Sequence, residues 1–176
     1  NTMKDIRAVL QANRKGERKG IYAICSAQPL VIEAAIEQAM QDNTPVLIEA
    51  TANQVNQFGG YTGMLPADFL EFIGEIADAK GYARDNIIAG GDHLGPVCWV
   101  NENAKEAMAK AVDLIACYVE AGFKKIHLDT SMSCADDPIC LPDEIVAQRA
   151  ANLCAIAEKA AITKFGKSDL VYVIGT

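Results

Sequence analysis

At 176 residues the chain suits one domain and can bury a sizeable core. A hydrophobic fraction of 51% excludes a disordered polypeptide, and a formal charge of -7 excludes the basic surface that nucleic acid requires. No apolar stretch reaches the roughly 18 residues of a membrane span, and the N-terminus lacks the apolar core of a secretory signal.

In chain order, Thr2-Met3-Lys4-Asp5 reads as a weak cap opening a short helix through about Asn13. The basic run Arg14-Lys15-Gly16-Glu17-Arg18-Lys19, interrupted by a glutamate, then reads as a solvated helix end. Ile21 to Ser26 is the first predicted strand, and Pro29 opens a helix from Leu30 to Gln41. Asn43-Thr44-Pro45 breaks it, and Val46 to Ala50 forms the second strand. A long polar loop, Thr51 to Gly63, precedes a helix launched by Pro66 and Asp68 that ends near Gly81. Ile87-Ile88-Ala89-Gly90-Gly91-Asp92-His93-Leu94-Gly95-Pro96 is an apolar β-run ending in an Asp-His pair between a double glycine and a Gly-Pro turn. A helix follows from about Asn101 to Ala121, then a strand from Lys125 to Thr130 and a second polar loop from Ser131 to Leu141. Pro142 begins a helix to about Lys164, and Leu170 to Gly175 is the fifth strand.

Apolar strands alternating with helices form a parallel α/β pattern. Long polar loops follow several strands and few precede them, which points to a TIM (β/α)8 barrel, whose chemistry lies on the loops after the strands. A doubly wound sheet is the runner-up. Five parallel strands would leave a barrel open at two edges. Residues 1–176 are therefore expected to be the N-terminal part of a single barrel domain continuing past Thr176, a complete five-stranded open sheet being the alternative.

The polar strand ends read as one mouth. In Lys125-Ile126-His127-Leu128-Asp129, alternation turns Ile126 and Leu128 toward the helices, leaving Asp129 at the mouth with His127 one layer below. The same parity turns Val46 and Ile48 outward and Leu47 and Glu49 inward. Glu49, Asp92 and Asp129 would thus converge from three strands as proton-transfer carboxylates, beside His93 as ligand for a divalent metal. Glycines 90 and 91 would let a ligand approach the backbone. His127 reads first as a satisfied interior histidine, and Glu49 could equally pair with a lysine.

Ser26, at the first strand end, is a candidate for binding substrate. Asn53, Gln54, Asn56 and Tyr61, with Gln57, could hold sugar hydroxyls or hydrogen-bond their own loop. Six cysteines occur without a C-x-x-C pair and read as reduced thiols of a cytoplasmic protein. For Cys134 and Cys140, flanking a short loop, a metal or a disulfide is the alternative. Gly166-Lys167-Ser168 has the end of a P-loop, but position 161 is alanine and the segment precedes a strand. No G-x-G-x-x-G follows a strand either, so a dinucleotide site lacks its marker.

Several runs closely resemble the Z subunits of bacterial tagatose-bisphosphate aldolase. They are Ile24-Cys25-Ser26-Ala27, Pro29 to Ala35, Leu47-Ile48-Glu49-Ala50-Thr51, Asn53 to Met64, Gly90 to Pro96 and Lys125 to Cys134. The resemblance implies a barrel related to the class II, zinc-dependent aldolases. Asp92 and His93 match the aldolases' proton-transfer carboxylate and metal-binding histidine, and Asp129 with Ser131 resembles their Asp-x-Ser element, which makes Ser131 a substrate-binding candidate. It further implies a cytoplasmic, oligomeric, non-catalytic subunit that stabilises a catalytic aldolase partner in galactitol or N-acetylgalactosamine breakdown. Older labels call such proteins tagatose-phosphate kinases. The other reading is a metal-dependent sugar-phosphate epimerase or aldolase acting itself on a ketose phosphate, with tagatose 6-phosphate in view and zinc as the expected metal.

Overall fold

The computed structural model describes residues 6–175. The cap at Thr2-Met3-Lys4-Asp5 lies outside the described residues. The helices are α1 (Ile6–Arg14), α2 (Pro29–Asp42), α3 (Pro66–Lys80), α4 (Ala104–Ala121) and α5 (Asp143–Phe165). The strands are β1 (Ala23–Cys25), β2 (Val46–Thr51), β3 (Ile87–Leu94), β4 (Lys125–Leu128) and β5 (Val171–Ile174). All five strands are parallel, in the order β1-β2-β3-β4-β5. A doubly wound sheet reverses its order at a switch point. This one runs in sequence, so it is a singly wound α/β sheet of the TIM-barrel type, an arc of five strands and not a closed barrel.

The two faces of the sheet differ in kind. Ile48, Ala50, Ile126 and Leu128 pack with Ile36, Phe69, Ile73, Leu114, Tyr118, Leu153 and Ala157 of α2 to α5 in one dry core. The opposite face carries Leu47 and Ile88, covered by Ile6 of α1 with Ile21 and Val171 beside them. Arg7 Nη2 donates to Leu170 O at 2.9 Å, tying α1 to the start of β5. α1 therefore floors the concave face beneath the strand ends, while α2 to α5 cover the convex one. The inward and outward parities read from β2 and β4 are those observed.

Local chemistry explains where elements stop. Gln28 caps α2 by accepting from Leu30 N at 2.6 Å, and Asn43 ends it at φ 52, a left-handed value Asn tolerates better than most residues. β1 is shorter than the predicted Ile21–Ser26: Ala23 to Cys25 are in register with Leu47 to Glu49 of β2, and Ser26 N adds one last bond to Glu49 O at 3.2 Å. α4 starts three residues later than expected: Asn103 caps it by accepting from Glu106 N at 3.0 Å, and a short 3-10 turn, Val97–Trp99, occupies the approach.

The polar loops are firmly tied. Tyr118 Oη, buried on α4, donates to Val55 O at 2.8 Å and Thr51 O at 3.3 Å. Asp137 accepts from both guanidinium nitrogens of Arg149, at 2.7 and 2.8 Å, and from Cys134 N at 2.8 Å. Asp136 Oδ1 accepts from Ala104 N at 2.6 Å, and Ala135 N donates to Glu102 O at 2.9 Å. The loop after β4 is thus stapled both to α5 and to the start of α4. All six cysteines are free thiols, Cys134 and Cys140 included. Among the described residues, no helix is long and apolar enough to cross a membrane.

Candidate metal and proton-transfer site

The site is built by an irregularity in β3. Gly91 pairs with Ile126 and Leu94 with Leu128, so β3 spends three steps where β4 spends two. Gly91 faces Tyr118, and Leu94 is fully buried in the helix-side core. The two residues between them, Asp92 and His93, both turn toward the concave face. His93 sits at φ 48, a left-handed value uncommon for histidine, and the bulge re-aims its side chain in the way such insertions do near functional sites. Gly95 then lets β3 and β4 close: a Cβ there would lie 1.8 Å from Asp129 O.

Four side chains meet at this rim, including both histidines of the chain. His93 Nδ1 lies 2.8 Å from Asp129 Oδ2, and His127 Nδ1 lies 2.8 Å from Asp92 Oδ1. The imidazoles are 4.3 Å apart between centroids. Burial pushes the Asp92 carboxyl upward, but the His127 hydrogen bond and the Lys125 charge, with His93 and the Cys25 thiol as further neighbours, outweigh it and hold it below the ordinary aspartate range. Asp129 is lowered likewise, the bonds from His93 and Ser131 overcoming its burial. Both aspartates are therefore ionised at neutral pH and can only accept. Each histidine must then donate through Nδ1, which in the neutral ring leaves Nε2 with its lone pair.

A carboxylate behind Nδ1 with Nε2 free is the arrangement of metal-binding histidines. His127 Nε2 is buried without a hydrogen-bond partner, which an acceptor in a polar site should not be unless a ligand completes it. Asp92, His93 and His127 offer ligand atoms within 4.8 Å of one another. This oxygen and nitrogen donor set fits a divalent cation.

Glu49 is placed differently from the other two carboxylates. It lies one layer below the rim, 3% exposed, with Oε1 2.6 Å from Lys125 Nζ. Lys125 Nζ is also 3.8 Å from Asp92 Oδ1. A Cβ on Gly90 would come within 2.6 Å of Glu49 Oε1 and 2.9 Å of its Cγ. The first glycine of the pair thus admits the Glu49 side chain rather than a ligand. Asp129 is fully engaged: Oδ2 by His93, and Oδ1 by Ser131 N at 3.1 Å and Ser131 Oγ at 2.7 Å. Asp92 has Oδ1 beside His127 Nδ1 and Lys125 Nζ, with the Cys25 thiol as a further neighbour.

The remaining candidates divide. Asn56 is buried and bonds its own loop, donating to Ala52 O at 2.8 Å and accepting from Phe58 N at 2.8 Å and Gly60 N at 3.1 Å. Gln54 Oε1 accepts from Thr51 N at 2.8 Å and from the Cys25 thiol at 3.8 Å. Ser26 Oγ accepts from Gln28 N at 3.1 Å, and Asn53 Oδ1 from the Cys98 thiol at 3.3 Å. Tyr61, by contrast, is 74% exposed. Gln57 Nε2 reaches Lys110 O at 2.9 Å and braces the loop against α4. Burial, with Asp92 and Glu49 nearby, pushes the Cys25 thiol up to about 12, so it is no nucleophile.

The sequence did not single out Lys125, and it marked His127 first as a satisfied interior histidine. Lys125 shares strand parity with His127 and Asp129, a signal that was available. The open Nε2 of His127 depends on what surrounds the ring in space, which no pattern along the chain reports.

A singly wound parallel α/β sheet with a carboxylate–imidazole cluster at its strand C-termini has the layout of part of a TIM-type barrel. The chain belongs to the D-tagatose-1,6-bisphosphate aldolase subunit GatZ/KbaZ-like family, whose model matches residues 6–176. It is also similar to a solved structure described as a probable tagatose 6 phosphate kinase from Sinorhizobium meliloti 1021, with 56% sequence identity and a TM-score of 0.84. That similarity covers 90% of this chain and 39% of the other, so the chain spans well under half of the structure it matches.

Proposed function

We propose that the protein is a subunit of a class II tagatose-bisphosphate aldolase and that its own rim binds a divalent cation beside a ketose phosphate. The observation that carries the binding site is the pair of carboxylate-backed histidines, His93 and His127, with the buried Nε2 of His127 left open. His93 and His127 would hold the ion with Asp92 beside them, and Asp129 with Ser131 would keep the His93 ring in place. A divalent ion held there would supply Lewis-acid polarisation of a sugar carbonyl or hydroxyl oxygen. The ionised Asp92 is the group that can take or return a proton, because Asp129 has both oxygens engaged and Glu49 is covered by Lys125. Tyr61 and the Asn53 amide remain the loop groups for sugar hydroxyls.

The role toward a catalytic aldolase partner, stabilising it in galactitol or N-acetylgalactosamine breakdown, rests on family membership. Six unpaired thiols support a reducing, cytoplasmic setting. The same reading takes residues 1–176 as the first part of one barrel domain. Its support is the exposure of Val173 and Ile174 on β5 and the 39% coverage of the similar structure.

A second reading, that the protein itself epimerises or cleaves a ketose phosphate, is favoured by the strained His93 and the prearranged donors, which a pure scaffold would not need. Metal content and activity separate the two. The full-length protein should purify with a stoichiometric divalent ion, zinc being the first candidate, and His93→Ala should lose it. If the protein is inactive alone and raises the turnover of a co-expressed aldolase, it is the accessory subunit. Turnover of tagatose 6-phosphate or its bisphosphate by the protein alone, abolished in His93→Ala, makes it the enzyme. Metal-free protein whose partner activation ignores His93→Ala would end the binding-site reading.

A further inference from the structure

Lys125 lies on an inward strand position of the concave layer, and its placement is costly. A lysine and a glutamate on inward strand positions, with side chains 12% and 4% exposed, give up hydration that their attraction returns only when the geometry is good. Here Gly90 brings the two together as an ion pair, without an aligned hydrogen bond on Glu49 Oε1. Cys25, Glu49, Gly90, Lys125 and Val171 stand in register across the five strands. Because position 90 has no side chain, Glu49 crosses β3 and meets Lys125 at 2.6 Å on β4. The ammonium so anchored lies 3.8 Å from Asp92 Oδ1, the oxygen that His127 Nδ1 also holds. Two groups thus hold Asp92 Oδ1, and the Cys25 thiol on β1 is a further hydrogen-bonding neighbour of the carboxylate.

We propose that Lys125, anchored by Glu49 through the gap left by Gly90, is a positioning residue that holds Asp92 Oδ1 against His127 and so fixes the carboxylate toward the ligand. It also sets the charge of the mouth. Glu49, Asp92 and Asp129 outnumber Lys125 by two, which matches a divalent cation. The inference rests on the binding-site reading above for the identity of the ligand, but not for the positioning itself.

The test uses full-length protein labelled with 15N-histidine, the His127 signals being assigned by their absence in His127→Gln. Wild type should show a protected Nδ1 proton on His127. In Lys125→Met that proton should be lost to exchange and the 15N pattern should shift, while Lys125→Arg restores both. Titration with Mn2+ gives a signed second readout. Removing a nearby positive charge would by itself tighten cation binding, whereas losing the position of Asp92 should weaken it about tenfold or more. Weaker Mn2+ binding with loss of the His127 proton supports the proposal. An unchanged His127 signal, or tighter Mn2+ binding, overturns it. If wild type binds no Mn2+, the binding-site reading fails and the His127 signal alone decides the positioning. Should Lys125→Met not fold, Glu49→Gln releases the same anchor at nearly equal volume and must produce the same loss.

Discussion

The two faces of this one sheet are made by alternate residues of the same strands, yet they obey opposite rules. On the helix side, Ile48, Ala50, Ile126 and Leu128 are buried among other apolar groups and need only shape to be satisfied. On the concave side, Glu49, Asp92, Lys125 and His127 are largely buried and polar, and each is tolerable only because a named neighbour meets it. The dry face stabilises the fold without specifying any chemistry. The wet face costs stability and holds its groups in fixed geometry. Placing both on one backbone lets the first offset the second, and the difference is carried by parity alone.

That division can be broken most directly from the dry side. Leu128→Ala should destabilise the protein by about 2–5 kcal/mol, as large-to-small core changes do, measured by urea or thermal unfolding. It should cost far more than Lys125→Met on the neighbouring face; equal costs would mean that the faces do not divide as described. Gly90→Ala should come next, at roughly 1–3 kcal/mol, because the new Cβ overlaps the Glu49 carboxylate. It should also weaken cation binding although residue 90 touches no ligand, which sharpens the dependence of the wet face on a missing side chain.

Arg149→Ala probes the clamp outside both faces and should cost roughly 1–2 kcal/mol at neutral pH. Arg149 holds the Asp137 carboxyl down to about 2 from an ordinary 3.8. A depressed folded value stabilises above the unfolded value and is lost as pH falls through the folded one. The gap in unfolding midpoint between wild type and Arg149→Ala should therefore be full above about pH 5 and shrink between pH 4 and pH 2. Smallest is Tyr118→Phe, which removes the donor to Val55 O and Thr51 O and should cost about 1 kcal/mol. Because that tie holds the loop after β2, the variant should also raise amide exchange in residues 52–56.

Much of this was legible along the chain, for a local reason. Period-two alternation in β2 and β4 assigns Ile48 and Ile126 to the helices and Glu49 and His127 to the mouth, and that parity is fixed once a strand has one apolar set. Proline at the start of α2 and of α3, and glycine after α3 and α4, marked helix ends within a residue or two, because left-handed caps and missing amide protons act within one turn. Asp92 and His93 were marked as a pair by the residues around them.

What the sequence by itself determined, then, is which residues face inward and that the strands run parallel in an α/β unit. Only the tertiary structure decided which inward groups touch. The bulge in β3 puts Asp92 and His93 on one side although alternation would part them. Gly90 opens a path that joins Glu49 to Lys125 instead of to a ligand. Parity is a property of a single strand, whereas contact depends on register between strands and on the space their neighbours leave empty.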